Sequence, residues 1–335
     1  MPKIQTSGSR AYKIDFNKDG KDDLLVLGRH LPDNYPQPTT TTLLLNVSNN
    51  LDTRFLDVTD KYARDLQNIG MATSATITDY DKDGWDDIII VGEWMPIKVF
   101  KNIESEFKDV SESLNLGEDS TGWWWSIKEG DFDNDGDLDL IVGNNGLNYK
   151  YKATEDETFD IYAKDFDNNK KADIVLSYYN EGKQYPVRGR QCSSEQIPGV
   201  KSKFKDYDSF SEATLVDVYT KKSLDNALHY QVKSFASVYL ENKDGEYISH
   251  ELPIEAQFSS INQILVDDYD NDGNLDAVIA GNLYVSEVET PRNDGSLGLF
   301  LKGDGSGGFK AVSMNESGLF IKGDTKDLTR ITIGN

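Results

Sequence analysis

Five stretches of the chain align without gaps, and this repetition constrains the fold more than any other feature. They are DFNKDGKDDL from Asp15, DYDKDGWDDI from Asp79, DFDNDGDLDL from Asp131, DFDNNKKADI from Asp165 and DYDNDGNLDA from Asp268. The shared phrase is D-[FY]-[DN]-x-[DN]-G-x-x-D followed by apolar residues, and Lys170 is the one break at the glycine position. Repeats spread along a chain mean one supersecondary unit built several times and stacked on itself.

The chemistry of the phrase is specific. Carboxylates or amides at positions 1, 3 and 5, with a backbone carbonyl at 7, describe the first half of a calcium-binding loop. Alternate residues of a tight turn point inward there as hard oxygen ligands. Glycine at position 6 (Gly20, Gly84, Gly136, Gly273) supplies the left-handed bend that the crowding requires. Position 2 faces away, so Phe16, Tyr80, Phe132, Phe166 and Tyr269 are expected to pack into a core. An EF-hand is rejected, because it needs a glutamate at position 12 and flanking helices. Position 12 is Val26, Ile90, Val142, Leu176 and Ile279, apolar in every copy. The last carboxylate falls instead at position 9, as Asp23, Asp87, Asp139, Asp173 and Asp276. The runs that follow, such as LLVLG, IIIVG and AVIAG, read as short buried strands. Each phrase is therefore a strand-to-strand turn. The same chemistry makes hairpin turns without a metal. Three of the five copies, however, hold four carboxylates at ligand spacing, where unpaired charges repel.

Further strand-like segments follow each loop. TTTLLLNVS and RFLDVT follow the first copy, PIKVFKN and EFKDVS the second, SLGLFLKG and GFKAVS the last. Between the fourth and fifth copies the analogous pair is SFASVYLEN and EYISHEL. The unit is about four short strands in a meander, and four-stranded units set around an axis make a β-propeller. The expected fold is all-β, a single propeller domain over residues 1–335, with five repeats visible and an insertion over 184–232. Within that insertion, DSFSEATLVDVYTKKSLDNALHY starts with Ser209 and Glu212 in a capping-box arrangement and predicts a small helical element. The preceding YPVRGRQCSSEQIPGVKSKFK reads as a Pro/Gly/Ser-rich loop.

Charge narrows the partners. The chain has 335 residues, 37% of them hydrophobic, and a formal net charge of −23 from 58 acidic and 35 basic residues. That argues against nucleic acid or an anionic membrane as partner, since phosphate needs a basic footprint. Cys192 is the only cysteine, which excludes an internal disulfide and a thiolate zinc site. The first residues, MPKIQTSGSR, hold no apolar signal core, and no run approaches a membrane span. Export would imply a mature or trimmed form.

The five phrases resemble the FG-GAP or VCBS repeats of integrin-α-like seven-bladed propellers. RGRQCSSEQIPG, GWWWSIKEGDFDNDGDLDLIVGNNGLN and LPIEAQFSSINQILVDDYDNDGNLDAVIAGN are similar to large bacterial surface or secreted VCBS-repeat proteins. The resemblance implies a calcium-stabilised propeller of seven blades acting in recognition, adhesion or scaffolding, with a protein or glycan ligand. It carries the ligands over as Asp15, Asn17, Asp19, Lys21 (carbonyl) and Asp23; then Asp79, Asp81, Asp83, Trp85 (carbonyl) and Asp87. The third set is Asp131, Asp133, Asp135, Asp137 (carbonyl) and Asp139, and the fourth Asp165, Asp167, Asn169, Lys171 (carbonyl) and Asp173. The fifth is Asp268, Asp270, Asp272, Asn274 (carbonyl) and Asp276, so up to five calcium sites are expected, with Lys170 departing from the pattern. GLFIKGDTKDLTRITIGN resembles the opening of another blade, completed by the N-terminal strand or continued in a longer protein.

Catalytic signals are sparse, and a non-enzymatic module is the expectation. His30, His229 and His250 are scattered, and GDGSGG at 303–308 reads as a hairpin turn, not a phosphate cradle. Of Trp123, Trp124 and Trp125, at least two are expected in the core, although such a triplet also suits a carbohydrate platform. Some polysaccharide lyases use FG-GAP-like propellers, which makes a lyase the alternative. Micromolar sites fill in extracellular calcium and empty in the cytosol, which points to an extracellular, surface or periplasmic location.

Overall fold

A computed structural model describes residues 2–4, 6–331 and 333. It is mostly β, built from four-stranded antiparallel sheets with few helices. The first sheet is a meander of β1 (Ser7–Ile14), β2 (Asp23–His30), β3 (Thr42–Asn46) and β4 (Phe55–Asp57). The second repeats it with β5 (Met71–Thr78), β6 (Asp87–Met95), β7 (Lys98–Ile103) and β8 (Glu106–Asp109), and β9 (Gly122–Trp123) joins the far end of β6. A third sheet opens with β10 (Ser126–Gly130) and β11 (Asp139–Gly143). The chain then makes a sheet of its own from β12 (Phe159–Lys164), β13 (Asp173–Asn180), β14 (Lys183–Pro186) and β15 (Leu228–Val232), ordered β14-β13-β12-β15. Only after this do β16 (Val238–Lys243) and β17 (Glu246–Glu251) complete the third sheet as β10-β11-β16-β17. The last sheet is β18 (Gln263–Asp267), β19 (Asp276–Ala280), β20 (Leu299–Gly303) and β21 (Phe309–Val312).

Every acidic phrase connects the first and second strands of a hairpin. Its ninth residue opens the second strand and faces the last residue of the first: Ile14↔Asp23, Thr78↔Asp87, Gly130↔Asp139, Lys164↔Asp173 and Asp267↔Asp276. One assignment from sequence fails. The SFASVYLEN and EYISHEL segments do not extend the fourth hairpin; as β16, which pairs with β11, and β17, which pairs with β16, they belong to the third copy. Strand periodicity cannot reveal this, because which hairpin a strand joins is a non-local choice.

The chain divides into two compact units. The first comprises residues 1–149, 236–284 and 293–335, the second 150–235 and 285–292. In the first unit, neighbouring sheets share apolar cores. Ile14, Phe16, Leu25 and Leu43 of the first sheet pack with Ile88, Ile90 and Phe100 of the second. The other face of the second sheet, through Ile89, Val91 and Val99, meets Leu140, Val142, Val238 and Leu240 of the third. The third sheet turns Ile141 and Tyr239 toward Ile264, Ala277 and Leu301 of the last. Alternate residues thus enter opposite cores, which explains apolar runs that are buried along their whole length. The glycines ending these runs permit close approach: a Cβ on Gly143 would lie 2.4 Å from the Ile261 carbonyl oxygen, and one on Gly281 1.9 Å from that of Ser260.

The second unit carries its own core, formed by Tyr162 and Val175 with Ile197, Val200, Phe204, Phe210, Leu215, Val218 and Leu224. Most of these lie on or beside short helices. Arg190–Gln196 and Gly199–Lys203 are helical where sequence suggested a loop. The capping box is Thr214 with Asp217, not Ser209 with Glu212; Ser209 sits inside the helix Tyr207–Ser211, whose N-cap is Asp206. A side chain that returns to the backbone at Thr214 and again at Thr220 restarts the chain, so one helix becomes several. The segment 318–331 forms no strand, and residues 332, 334 and 335 lie outside those described. It is held through Asn282 and Asn262, whose Nδ2 atoms donate to the Gly323 and Thr325 carbonyls at 2.7 Å.

Candidate functional site

The five loops share one hydrogen-bond scheme. The position 6 N–H donates to Oδ2 of position 1: Gly20 to Asp15 at 3.0 Å, Gly84 to Asp79 at 2.8 Å, Gly136 to Asp131 at 3.1 Å, Lys170 to Asp165 at 2.8 Å and Gly273 to Asp268 at 3.0 Å. The position 7 N–H of Lys21, Trp85, Asp137, Lys171 and Asn274 donates to Oδ1 of Asp19, Asp83, Asp135, Asn169 and Asp272. Lys170 keeps this geometry at a φ of 71°, where glycine serves the other copies, so the fourth loop closes despite its departure from the pattern. Position 2 behaves as expected in part. Phe16, Tyr80 and Phe132 are buried and Phe166 is half-buried, but Tyr269 is 38% exposed and rests edge-on against Phe300.

Four loops gather acidic oxygens. Asp79, Asp81 and Asp87 bring ligand atoms within 4.8 Å of one another, as do Asp131, Asp133 and Asp139; Asp165, Asp167 and Asp173; and Asp268, Asp270 and Asp276. These groups could hold a metal ion. The first loop, with Asn17 at position 3, is not among them. The donor atoms suit a cation: Asp79 Oδ1 and Asp131 Oδ1 are buried and have no hydrogen-bond partner. A buried carboxylate oxygen in that state is costly, and a hard cation among carboxylates removes the cost.

The ninth residue does more than face the loop. Asp23, Asp87, Asp139 and Asp276 are fully buried. Their Oδ1 atoms accept backbone N–H groups from the third strand: Asn46 at 2.7 Å, Asn102 at 2.7 Å, Asn242 at 2.8 Å and Gly303 at 3.0 Å. Oδ2 of Asp87, Asp139, Asp173 and Asp276 accepts the N–H of the aromatic at position 2. This carboxylate pins the loop to its sheet. Burial pushes it up to about 6 in Asp23 and Asp139 and to about 7 in Asp87, against the hydrogen bonds that favour its charge. Sequence reading missed the partner asparagines. Nδ2 of Asn46, Asn102 and Asn242 returns to the carbonyl at position 8 of the same loop, on Asp22, Asp86 and Leu138. The available signal was an asparagine recurring after LLL, VFK and YLE.

In the first unit the loops also touch in series. Lys18, at position 4 of the first loop, lies 3.9 Å from the ring centre of Trp85, at position 7 of the second. Lys82 of the second pairs with Asp137 of the third at 2.7 Å. Asn134 of the third donates to Asn274 Oδ1 of the last at 3.1 Å. Position 4 of one loop therefore reaches position 7 of another three times over.

A second cluster lies at the other ends of β2 and β6. Glu93 is 2% exposed, and its carboxylate accepts from Arg29, from Tyr35 Oη at 3.1 Å and from Trp123 Nε1 at 3.1 Å. Trp94 Nε1 donates to Tyr35 Oη at 2.7 Å, and its ring lies 4.6 Å from that of Trp123. Trp123 stacks on Trp125 with ring centres 6.2 Å apart. Trp124 is buried, whereas Trp123 and Trp125 are half-buried, so one of the three enters the core and not two. The reason is strand alternation around β9: Trp123 faces Glu93 across the pairing with β6, which turns Trp124 inward. His30, His229 and His250 do not come together; His229 pairs with Asp160 and His250 with Glu241. GDGSGG turns between β20 and β21, where Asp304 Oδ1 accepts from Ser306 and Gly308.

Residues 79–142, which span the second and third phrases, match the FG-GAP-like repeat family. The chain thus contains FG-GAP-like repeat sequence, set in hairpins of four-stranded sheets. No curated protein matches it. Two solved structures are similar at low overlap. One, described as a lectin of Agrocybe aegerita that specifically recognises non-reducing terminal N-acetylglucosamine, is 13% identical at TM-score 0.31, covering 92% of this chain and 67% of the lectin. The other, the V. cholerae biofilm matrix protein Bap1, is 9% identical at TM-score 0.24, covering 94% of this chain and 70% of Bap1.

Proposed function

We propose that the chain is a calcium-stabilised extracellular recognition module whose sheets are blades of a propeller and whose ligand is a glycan. The observation that carries the glycan is the half-buried Trp123–Trp125 pair, framed by Arg29 and held from behind by Glu93. Sugar rings present flat C–H faces that stack on indoles, and hydroxyls that suit a guanidinium. The three donors on Glu93 fix Trp123 and Arg29 before a ligand arrives, which lowers the ordering cost of binding. Trp94 takes a φ of 59° inside the cluster, a strained state for a bulky residue and one found where surrounding structure serves a site.

Calcium is the cation that loops of aspartate and asparagine oxygens at this spacing suit best. The ligands would be positions 1, 3, 5 and 9 of each phrase with the carbonyl at position 7. The ion neutralises the carboxylates, and the buried ninth residue fixes where it sits. Sites of micromolar affinity fill outside cells, which supports the extracellular assignment. A glycan array followed by calorimetry tests the module. Wild type should bind at least one glycan, and Trp125→Ala should weaken that binding more than tenfold with an unchanged melting temperature. No binding by wild type, or full binding by the variant, overturns the reading.

A further inference from the structure

The third strand of each sheet in the first unit passes beside its acidic loop. The residue just before the N–H that pins position 9 differs from sheet to sheet: Leu45, Lys101, Glu241 and Lys302. Lys101 Nζ bonds Asp81 Oδ2 and lies 3.1 Å from Asp83 Oδ2. Lys302 Nζ bonds Asp270 Oδ2 and lies 2.8 Å from Asp272 Oδ2. In both loops the ammonium sits on the carboxylates of positions 3 and 5, two of the places a cation would use. The third loop has the opposite arrangement. Glu241 occupies the equivalent place and turns to His250 at 3.0 Å and Lys243 at 3.5 Å. Its neighbouring lysine, Lys82, reaches Asp137 at position 7.

We propose that Lys101 and Lys302 are tethered counter-cations that calcium must displace, so the loops at Asp79 and Asp268 fill at higher calcium than the loop at Asp131. The inference rests on the calcium reading of the loops. An ammonium offers one positive charge and three donors, whereas calcium brings two charges and collects six to eight oxygens. Both cannot hold the same carboxylate oxygens, and the flexible four-carbon stem lets the lysine swing out when the metal enters. In the second loop Lys101 does not reach position 1, and Asp79 Oδ1 stays without a partner, so that oxygen remains open to the metal. Without calcium the second and last loops keep a counter-charge on positions 3 and 5, whereas the lysine beside the third loop reaches only Asp137 at position 7. The chain therefore has two classes of loop, one dependent on the ion for its integrity and one that responds to it.

Trp85, at position 7 of the second loop, makes that loop separately readable, because it can sensitise bound terbium; Trp85→Phe assigns the signal. In Lys101→Met, half-saturation by terbium, and its displacement by calcium, should shift about tenfold to lower cation concentration. The variant should also melt lower than wild type in EDTA and recover in calcium. Lys101→Gln, which keeps a polar end without the charge, should follow the methionine variant and decides the matter if the latter folds poorly. Lys302→Met, followed by calcium calorimetry, should tighten one site without altering the tightest. If wild type titrates and the lysine variants titrate identically, the counter-cation role is wrong and the calcium reading stands. If wild type shows no cation-dependent signal or heat at any loop, the calcium reading fails and this inference fails with it.

Discussion

Asn102 shows what a single residue does for the repeat. It is fully buried, and its N–H donates to Asp87. Its Nδ2 donates to the Phe16 carbonyl at 2.9 Å and the Asp86 carbonyl at 3.2 Å, while its Oδ1 accepts from Ser105 at 2.9 Å. Phe16 belongs to the first loop, so this one amide ties two adjacent hairpins. Asn102→Ala leaves these buried groups unpaired and should cost about 2–3 kcal/mol, measured by urea denaturation. Asn46→Ala should cost less, since its contacts are partly exposed. Nothing in the acidic phrase announced this residue. It lies fifteen places beyond Asp87 on the far edge of the hairpin, and only the pairing of β6 with β7 brings it back.

At the scale of elements, β6 is the clearest case of a strand specified by its own residues. All nine of its residues are buried. Ile88 and Ile90 enter the core shared with the first sheet, Ile89 and Val91 the core shared with the third. Ile89→Ala and Ile90→Ala should each destabilise by about 2–5 kcal/mol. Because the two side chains stand on opposite faces, the double variant should equal the sum within about 0.5 kcal/mol, and a large coupling in chemical denaturation would contradict the two-core arrangement. The hairpins themselves were legible, since the phrase, its glycine and its apolar tail together dictate strand, turn, strand. The helices of the second unit were less so. Their apolar residues have no long period, being cut by caps at Asp206, Thr214 and Thr220, and they cohere only around a shared core.

For the whole molecule, the proposed calcium sites would link ion binding to stability. A site at one hundred times its Kd contributes about 2.7 kcal/mol, and several sites add. In 1 mM calcium the melting temperature should exceed that in EDTA by about 5 °C or more, followed by calorimetry, given a shift of roughly 2 °C per kcal/mol for a large domain. An unchanged transition would sink the metal reading. The interruption of the third sheet matters at this scale too. The chain leaves β11, builds the second unit with its own hairpin and core, and returns in β16 to the same sheet. Folding of the third sheet must therefore close a loop of nearly one hundred residues, from Gly143 to Val238, and non-local closure of that kind is slow.

The sequence by itself determined the repeated hairpin. Aspartates at alternate places, a left-handed position and a buried strand are local demands that one short unbroken run of residues satisfies. Tertiary structure alone decided which strands complete which sheet, since any apolar strand of the right period can pair with several edges. It also decided that the ninth aspartate pins the loop to the third strand, and that a lysine stands on two of the loops and a glutamate beside a third. Those roles depend on residues distant in the chain that meet only when the sheets form, and burial and charge act on them through that meeting.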